Sequence, residues 1–240
     1  MSPRRKKPHL HWLQIITHVG AWIPLAVLVF DYFNDRLTVN PIQAATQRAG
    51  DIAITLLILS LACTPINTLF RFSPVIKIRR ALGLYAYFYA AIHLFIFVGV
   101  DYAFAFDQII KDVGNKRFIL VGLTSFILLT ILTITSFRWW MARLGKNWKR
   151  LHRIVYGVNL LVVLHYAWAM KGDIFRLQGN ILLPLFASVI VILLLVIRIP
   201  SVRKRLSGLF HPASLTARPG RIKDHLADIN IGKEHRSIVE

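Results

Sequence analysis

Two histidines, His152 and His165, lie in the apolar stretch LHRIVYGVNLLVVLHYAWAM, which occupies residues 151–170. Twenty mainly apolar residues are enough to cross the hydrocarbon core of a bilayer as a helix. An ionisable residue inside a membrane is energetically costly, and such residues mark functional sites. Because neutral imidazole is the commonest metal ligand and also an axial ligand of haem iron, this stretch predicts a metal or haem site.

The spacing of these two histidines assigns them to different sites. The thirteen residues from His152 to His165 place the two imidazoles about 20 Å apart along a helix axis and about 140° apart around it. They cannot bind one iron. His165 therefore needs a partner at its own depth on another helix, and His152 belongs to a second site or to none.

Hydropathy divides the chain into six apolar segments that must position these histidines. They are predicted as helices at 10–33, 51–70, 81–100, 118–137, 151–170 and 180–199. The mean hydropathy of +0.54 and the hydrophobic content of 55% exceed those of an ordinary soluble domain. The sequence predicts an all-α integral membrane protein: a six-transmembrane-helix bundle at 10–199, with a basic N-terminus at 1–9 and a basic tail at 200–240.

The charge of the connecting segments predicts the orientation of the bundle. The connections after the second and fourth helices are basic and contain no acid, whereas those after the first and third helices hold both signs of charge. Cytoplasmic loops carry the excess of Lys and Arg, so both termini are predicted to be cytoplasmic. Topology thus explains the formal net charge of +19, and nucleic-acid binding is not favoured.

The third helix provides a partner for His165. Counted from the cytoplasmic ends of the third and fifth helices, His93 and His165 are twelve and fourteen residues deep, which is about 18–21 Å. Gly83, Ala86 and Ala90 share a helix face with His93. That stripe is equally consistent with plain helix packing, but beside a buried histidine it leaves room for a flat macrocycle. His93 and His165 are the predicted axial ligands of one haem iron.

Three further candidates follow from depth and charge. Arg79 and Arg80 lie thirteen or fourteen residues before His93, at the depth of His152. They could meet haem propionates or another anionic cofactor through bidentate contacts, or serve only as topology charges. His152 could equally be an interfacial histidine without a ligand. His18 on the first helix is a candidate for a quinone or cofactor pocket, although a single histidine is more often satisfied by a backbone carbonyl.

Other sequence features narrow the chemistry. The single cysteine, Cys63, excludes a disulfide framework and a cysteine-ligated cluster. About forty residues follow the sixth helix, and no GxGxxG motif follows a predicted strand. Donor and acceptor chemistry is therefore expected on other molecules. Asp51 is interpreted as the first residue of the second helix, where a carboxylate favours the positive end of the helix dipole.

Three segments carry a resemblance: IRRALGLYAYFYAAIHL at 78–94, LGKNWKRLHRIVY at 144–156 and HYAWAMK at 165–171. They resemble the MsrQ family (formerly YedZ), haem-binding membrane subunits of the bacterial MsrPQ protein-methionine-sulfoxide reductase system, within the ferric-reductase-like transmembrane superfamily. The likeness covers essentially all six helices. It implies haem b held by histidines, with His93, His152 and His165 at the family's haem-histidine positions, and it implies FMN.

The resemblance also implies a place in the cell and a function. Such a subunit lies in the bacterial inner membrane and passes electrons from the respiratory quinone pool to MsrP, a periplasmic molybdopterin subunit that reduces methionine sulfoxide. The chain would then be a redox subunit and not itself the catalytic reductase. The alternative interpretation is a histidine-lined transporter or channel for protons or a transition metal.

Overall fold

The computed structural model describes residues 12–170, 172–173, 178–179 and 182–210, and this part of the chain is almost entirely helical. Its helices are α1 (Trp12–Phe33), α2 (Pro41–Phe70), α3 (Pro74–Phe95), α4 (Phe106–Asn115), α5 (Arg117–Ile134), α6 (Arg138–Leu144), α7 (Lys146–Leu151), α8 (Ile154–Ala169), α9 (Leu182–Val196) and α10 (Pro200–Phe210). A π-helix, Ile96–Asp101, continues α3. Two short strands, β1 (Gly172–Asp173) and β2 (Gln178–Gly179), pair antiparallel.

Four of these helices are long and apolar enough to cross a membrane: α1, α2, α3 with its π-helical end, and α5. The apolar helices α8 and α9 are shorter, at 16 and 15 residues. On α1, Ile16, Val19 and Ile23 are all more than half exposed, as expected of a helix that faces lipid. The predicted all-α class is confirmed, whereas the count of six spans and the orientation of the termini stay predictions.

The second predicted helix begins ten residues too late. α2 starts at Pro41 and is capped by Asn40, whose side chain accepts a hydrogen bond from the Gln43 N–H. A capping Asn followed by Pro in the first turn is a favourable helix start. Asp51 therefore lies well inside α2, and its interpretation as the first residue is wrong. The first turns of α2 are polar, and hydropathy marks only where the apolar run begins.

The connection between α3 and α5 contains a helix that the sequence analysis did not predict. The Tyr102 hydroxyl donates a hydrogen bond to the Asp112 carboxylate, and Lys116 Nζ lies 2.9 Å from the same carboxylate. The hydrogen bond from Tyr102, and to a smaller extent that from Lys116, lowers the pKa of Asp112, because both stabilise the charged carboxylate. The contacts fix α4 beside the end of α3 and the start of α5.

The core is built from two helix pairs, α2 with α3 and α5 with α8. Leu57, Ala86, Leu129 and Val158, one from each of these helices, form a buried cluster that joins the two pairs. α9 packs against α2 and α8 through a second cluster that includes Val191. The two pairs therefore meet face to face, and α9 covers one side.

The position of α1 depends on Tyr89 of α3, whose side chain is fully buried. The Tyr89 hydroxyl donates to the Ala21 carbonyl at 2.6 Å and accepts from the Leu25 N–H at 3.0 Å. In a regular helix those two backbone groups would pair with each other. Tyr89 thus inserts into α1 beside Pro24, where a proline already weakens the helix. This contact holds α1 on the face of α3 that also carries Tyr85.

Candidate functional site

His93 of α3 and His165 of α8 face each other between the two helix pairs. Their ring centroids lie 6.1 Å apart, and the ring planes are inclined by 86°. An iron held between two imidazoles, with metal–nitrogen bonds of about 2 Å on opposite sides, requires centroids about 6 Å apart. The structure therefore brings the two histidines to a spacing that suits one hexacoordinate iron.

A backbone carbonyl orients each imidazole. His93 Nδ1 lies 2.8 Å from the Thr46 carbonyl oxygen on α2, and His165 Nδ1 lies 2.8 Å from the Phe118 carbonyl oxygen on α5. An Nδ1–H that donates to a carbonyl leaves Nε2 unprotonated, which is the form that binds metal. Both histidines are thus held in the tautomer needed for ligation through Nε2.

A glycine lies four residues after each of these carbonyls, against the imidazole ring. A Cβ atom at Gly50 would lie 3.1 Å from His93 Nδ1, and a Cβ atom at Gly122 would lie 2.6 Å from His165 Cε1. Any larger residue would push the imidazole away from its carbonyl. Sequence reasoning did not identify either glycine, although both stand 43 residues before their histidine.

The two halves of this site are related by an internal repeat. The carbonyl, the glycine and the histidine occur at 46, 50 and 93 in α2–α3 and again at 118, 122 and 165 in α5–α8, a displacement of 72 residues. The same displacement aligns Arg80 with His152. The repeat therefore matches at the end that carries the histidine pair and differs at the opposite end.

His152 lies in the turn between α7 and α8, two residues before the helix on which it was expected. Its Nε2 is 3.1 Å from Thr135 Oγ1, and its ring packs against Trp148 with centroids 4.2 Å apart. The Trp148 indole N–H donates to the Thr135 carbonyl at 2.8 Å. These contacts are sufficient to hold an interfacial histidine without any ligand, so both interpretations of His152 remain open.

Arg79 and Arg80 face different parts of the molecule. Arg79 is close enough to His152 and Arg198 to interact electrostatically with both. Arg80 instead lines a pocket between α1 and α3 together with His18. Neighbouring helical residues point about 100° apart. The structure therefore brings only one of the two predicted arginines towards His152.

Arg198, which sequence reasoning did not single out, lies two residues after the end of α9 and interacts electrostatically with Arg79. It donates hydrogen bonds to the Tyr156 hydroxyl, at 2.8 Å, and to the Leu61 carbonyl. Its Nε is buried and has no hydrogen-bond partner among the described residues. We call Arg79, Arg198 and His152 the inner cluster, because their combined charge and the spare Nε would suit an anionic group.

Asp51 lies next to Gly50 on α2, near enough to His93 to interact with it electrostatically. Its carboxyl group interacts with the Tyr166 hydroxyl and with His93. The helix start at Pro41 explains this position, since Asp51 is carried into the bundle rather than left at its edge. A carboxyl group and a hydroxyl group thus accompany the two imidazoles.

Comparison with known proteins identifies the class and then the family. The family described as ferric reductase like transmembrane component matches residues 49–163, from α2 into α8. The protein-methionine-sulfoxide reductase heme-binding subunit MsrQ of Herminiimonas arsenicoxydans is 36% identical over 193 residues, covering 80% of this chain and 86% of the relative. MsrQ of Xanthomonas axonopodis pv. citri (strain 306) is 38% identical over 165 residues, covering 66% and 76% respectively.

A bundle of long apolar helices with this match is a ferric-reductase-like transmembrane protein. Within that class, the chain belongs to the MsrQ family.

Gly122→Ala tests the close approach of α5 to His165. The added Cβ would lie 2.6 Å from the imidazole, so the ring or the helix must shift. We expect a loss of stability of about 1–3 kcal/mol, as is usual for overpacking, measured by thermal unfolding of the purified protein. Gly50→Ala should lose less, because its closest contact would be 3.1 Å.

Gly157→Ala is the matched control on α8, since a Cβ there meets nothing within 4 Å. Removing a helical glycine at such an open position should raise stability slightly. Equal melting temperatures for Gly122→Ala and Gly157→Ala would contradict the described packing around His165.

Proposed function

We propose that this protein is a haem b-containing electron-transfer subunit. It would pass electrons from the respiratory quinone pool across the inner membrane to a periplasmic MsrP-like molybdopterin reductase, which repairs methionine sulfoxide in oxidised proteins. The main observation in support of this proposal is the His93–His165 pair, whose ring centroids lie 6.1 Å apart between the two helix pairs. The relatives' names, which describe heme-binding subunits of a methionine sulfoxide reductase, support this reading.

In this proposal His93 and His165 would hold the haem iron, each through its Nε2 atom. Haem bound in this way supplies one-electron transfer between ferric and ferrous iron. The Thr46 and Phe118 carbonyls hold both imidazoles in the ligating tautomer. Because the two histidines together would leave the iron no open position for a substrate, the chain itself would carry electrons and leave the reduction of methionine sulfoxide to its partner.

The inner cluster is proposed as the site of an anionic group from a second cofactor. His152 would be the ligand or neighbour of that cofactor, and Arg79 and Arg198 would contact a haem propionate or the phosphate of FMN. The FMN assignment rests on the resemblance alone. In the competing interpretation His152 is interfacial, as its contacts with Thr135 and Trp148 permit, and the arginines serve topology.

One observation favours the transporter alternative, namely that Asp51 interacts with both His93 and the Tyr166 hydroxyl. A chain of ionisable groups in a membrane can relay protons. Against this, two facing imidazoles suffice for haem, whereas a bare ion such as Zn²⁺ takes about four ligands. The described residues contain no group of three or more His, Cys, Asp or Glu arranged for a metal ion. The absorbance spectrum of the purified protein separates the two proposals.

His93→Ala or His165→Ala should remove the principal haem. Each substitution deletes one axial bond, and water replaces it poorly between apolar helices. We expect the Soret absorbance per protein to fall several-fold, with the residual haem shifted towards high spin. His18→Ala is the control, because His18 lies in a different pocket. Two mutants that keep the wild-type low-spin spectrum would refute the pairing.

We also propose six membrane spans with both termini cytoplasmic. Segment 1–9 lies outside the described residues, and the tail at 200–240 is described only as far as Phe210.

In a Cys63→Ser background, Gln108→Cys on α4 should react with a membrane-impermeant maleimide in intact spheroplasts. Asn147→Cys on α7 should react only after lysis. Both positions are exposed, so labelling of Asn147→Cys from outside would overturn this topology.

Arg79→Ala and Arg80→Ala form a neighbouring pair that tests the inner cluster. Arg79 interacts with His152, so Arg79→Ala should lower the haem or flavin content to the same extent as His152→Ala. Arg80 faces the α1–α3 pocket, so Arg80→Ala should leave that content unchanged. Quantified haem and FMN per protein provide the measurement. Unchanged stoichiometry in all three variants would establish the interfacial interpretation of His152.

A further inference from the structure

A pocket between α1 and α3 lies apart from the histidine pair and from the inner cluster. It has a volume of about 410 Å³, and its lining includes His18, Trp22, Lys77, Arg80, Tyr85 and Phe88. None of the described residues that line it is acidic. α1 and α3 are both long enough to span the membrane, so the pocket is formed between two membrane-spanning helices and opens towards lipid.

A polar pair lies in this pocket. His18 Nδ1 is 2.9 Å from the Tyr85 hydroxyl, and the two rings meet edge to face with centroids 5.7 Å apart. His18 is exposed on α1, a helix of mainly apolar sequence. An exposed imidazole in hydrocarbon is costly without a polar partner. With Nδ1 committed to Tyr85, Nε2 is the nitrogen that can contact a bound molecule.

Aromatic rings form the wall beyond this pair. Trp22 of α1 meets Phe88 at 5.5 Å and Tyr85 at 6.4 Å between centroids, both in edge-to-face arrangements. Flat aromatic and apolar surfaces of this kind favour a planar ring as the ligand. The pocket therefore combines a hydrogen-bonding pair with an apolar slot.

Two cations complete the pocket. Lys77 and Arg80 are exposed on the first two turns of α3. In the proposed topology that end of α3 lies at the cytoplasmic headgroup level, where cationic side chains reach the interface. The pocket thus suits an amphiphile whose polar ring can carry negative charge and whose tail extends into lipid.

We propose that this pocket binds the headgroup of a membrane quinol, with His18 and Tyr85 contacting one ring oxygen. The inference rests on the proposed function, which names quinones as the electron source, and it places the sequence candidate His18 in a pocket with Tyr85 as its partner. Lys77 and Arg80 would stabilise the quinol when it loses a proton. A phospholipid whose phosphate contacts the same two cations is the competing occupant.

The position of the pocket fits the delivery of electrons to the histidine pair. Tyr85, Tyr89 and His93 follow one another at intervals of four residues along α3, and the span from Tyr85 to His93 is about 12 Å along the axis. Oxidation of one quinol to quinone releases two electrons and two protons. The electrons would leave one at a time, in two successive one-electron transfers to ferric haem held by His93 and His165, and the two protons would pass through His18 Nε2 to cytoplasmic water.

The test uses the full-length haem-loaded protein with menadione and menadiol as probes. Menadione binding is measured by quenching of tryptophan emission, and haem reduction by menadiol is followed by absorbance under anaerobic conditions. His18→Ala and Tyr85→Phe should each weaken binding at least tenfold and slow haem reduction at subsaturating menadiol in proportion. Haem content and reduction by dithionite should remain normal. Tyr32→Phe, at the far end of α1, is the matched control.

Each result has a distinct meaning. Wild-type binding and reduction in both variants would overturn this pocket as the quinol site while leaving the proposed function in place. Binding that depends on His18 and Tyr85, without haem reduction in any protein, would support the site and contradict the quinone pool as electron source. A copurified anionic phospholipid that is lost in Lys77→Ala/Arg80→Ala, with menadione binding intact, would assign the pocket to lipid.

Discussion

The hydrogen bonds from two imidazole Nδ1 atoms to helix carbonyls are the contacts on which the proposed site depends. A helical carbonyl normally accepts from the N–H four residues later, and at both carbonyls that later residue is a glycine, Gly50 or Gly122. With no side chain there, the imidazole can approach closely enough to share the carbonyl. The same contact fixes the tautomer and the direction of Nε2, and it joins α3 to α2 and α8 to α5.

The internal repeat explains how one site is assembled from two similar halves. Each helix pair supplies a carbonyl, a glycine and a histidine, and the buried cluster around Ala86 and Val158 brings the pairs face to face. At the other end the two halves differ, because the repeat aligns Arg80 of α3 with His152. Arg80 faces α1, which has no counterpart in the repeat. The asymmetric end is therefore where the proposed donor pocket and inner cluster lie.

Counting residues from the starts of the apolar segments, 81 and 151, placed His93 and His165 at one depth, although α3 itself begins at Pro74 and α8 at Ile154. The sequence says less about which way each residue points around its helix and about which helices are neighbours. Arg79 and Arg80 have the same depth but face different partners, and nothing in one sequence specifies which neighbour lies on which side. Asp51 was misplaced because the polar first turns of α2 concealed its start at Pro41. Gly50 and Gly122 were missed because their role is a contact between helices.

Electron paramagnetic resonance of the oxidised protein tests the paired-histidine site most directly. The ring planes of His93 and His165 are inclined by 86°, and near-perpendicular axial imidazoles give low-spin ferric haem a strongly axial signal with one dominant feature at large g. We expect that signal to account for the principal haem. A rhombic low-spin spectrum would contradict the ring orientations, and a mainly high-spin spectrum would contradict ligation by both histidines.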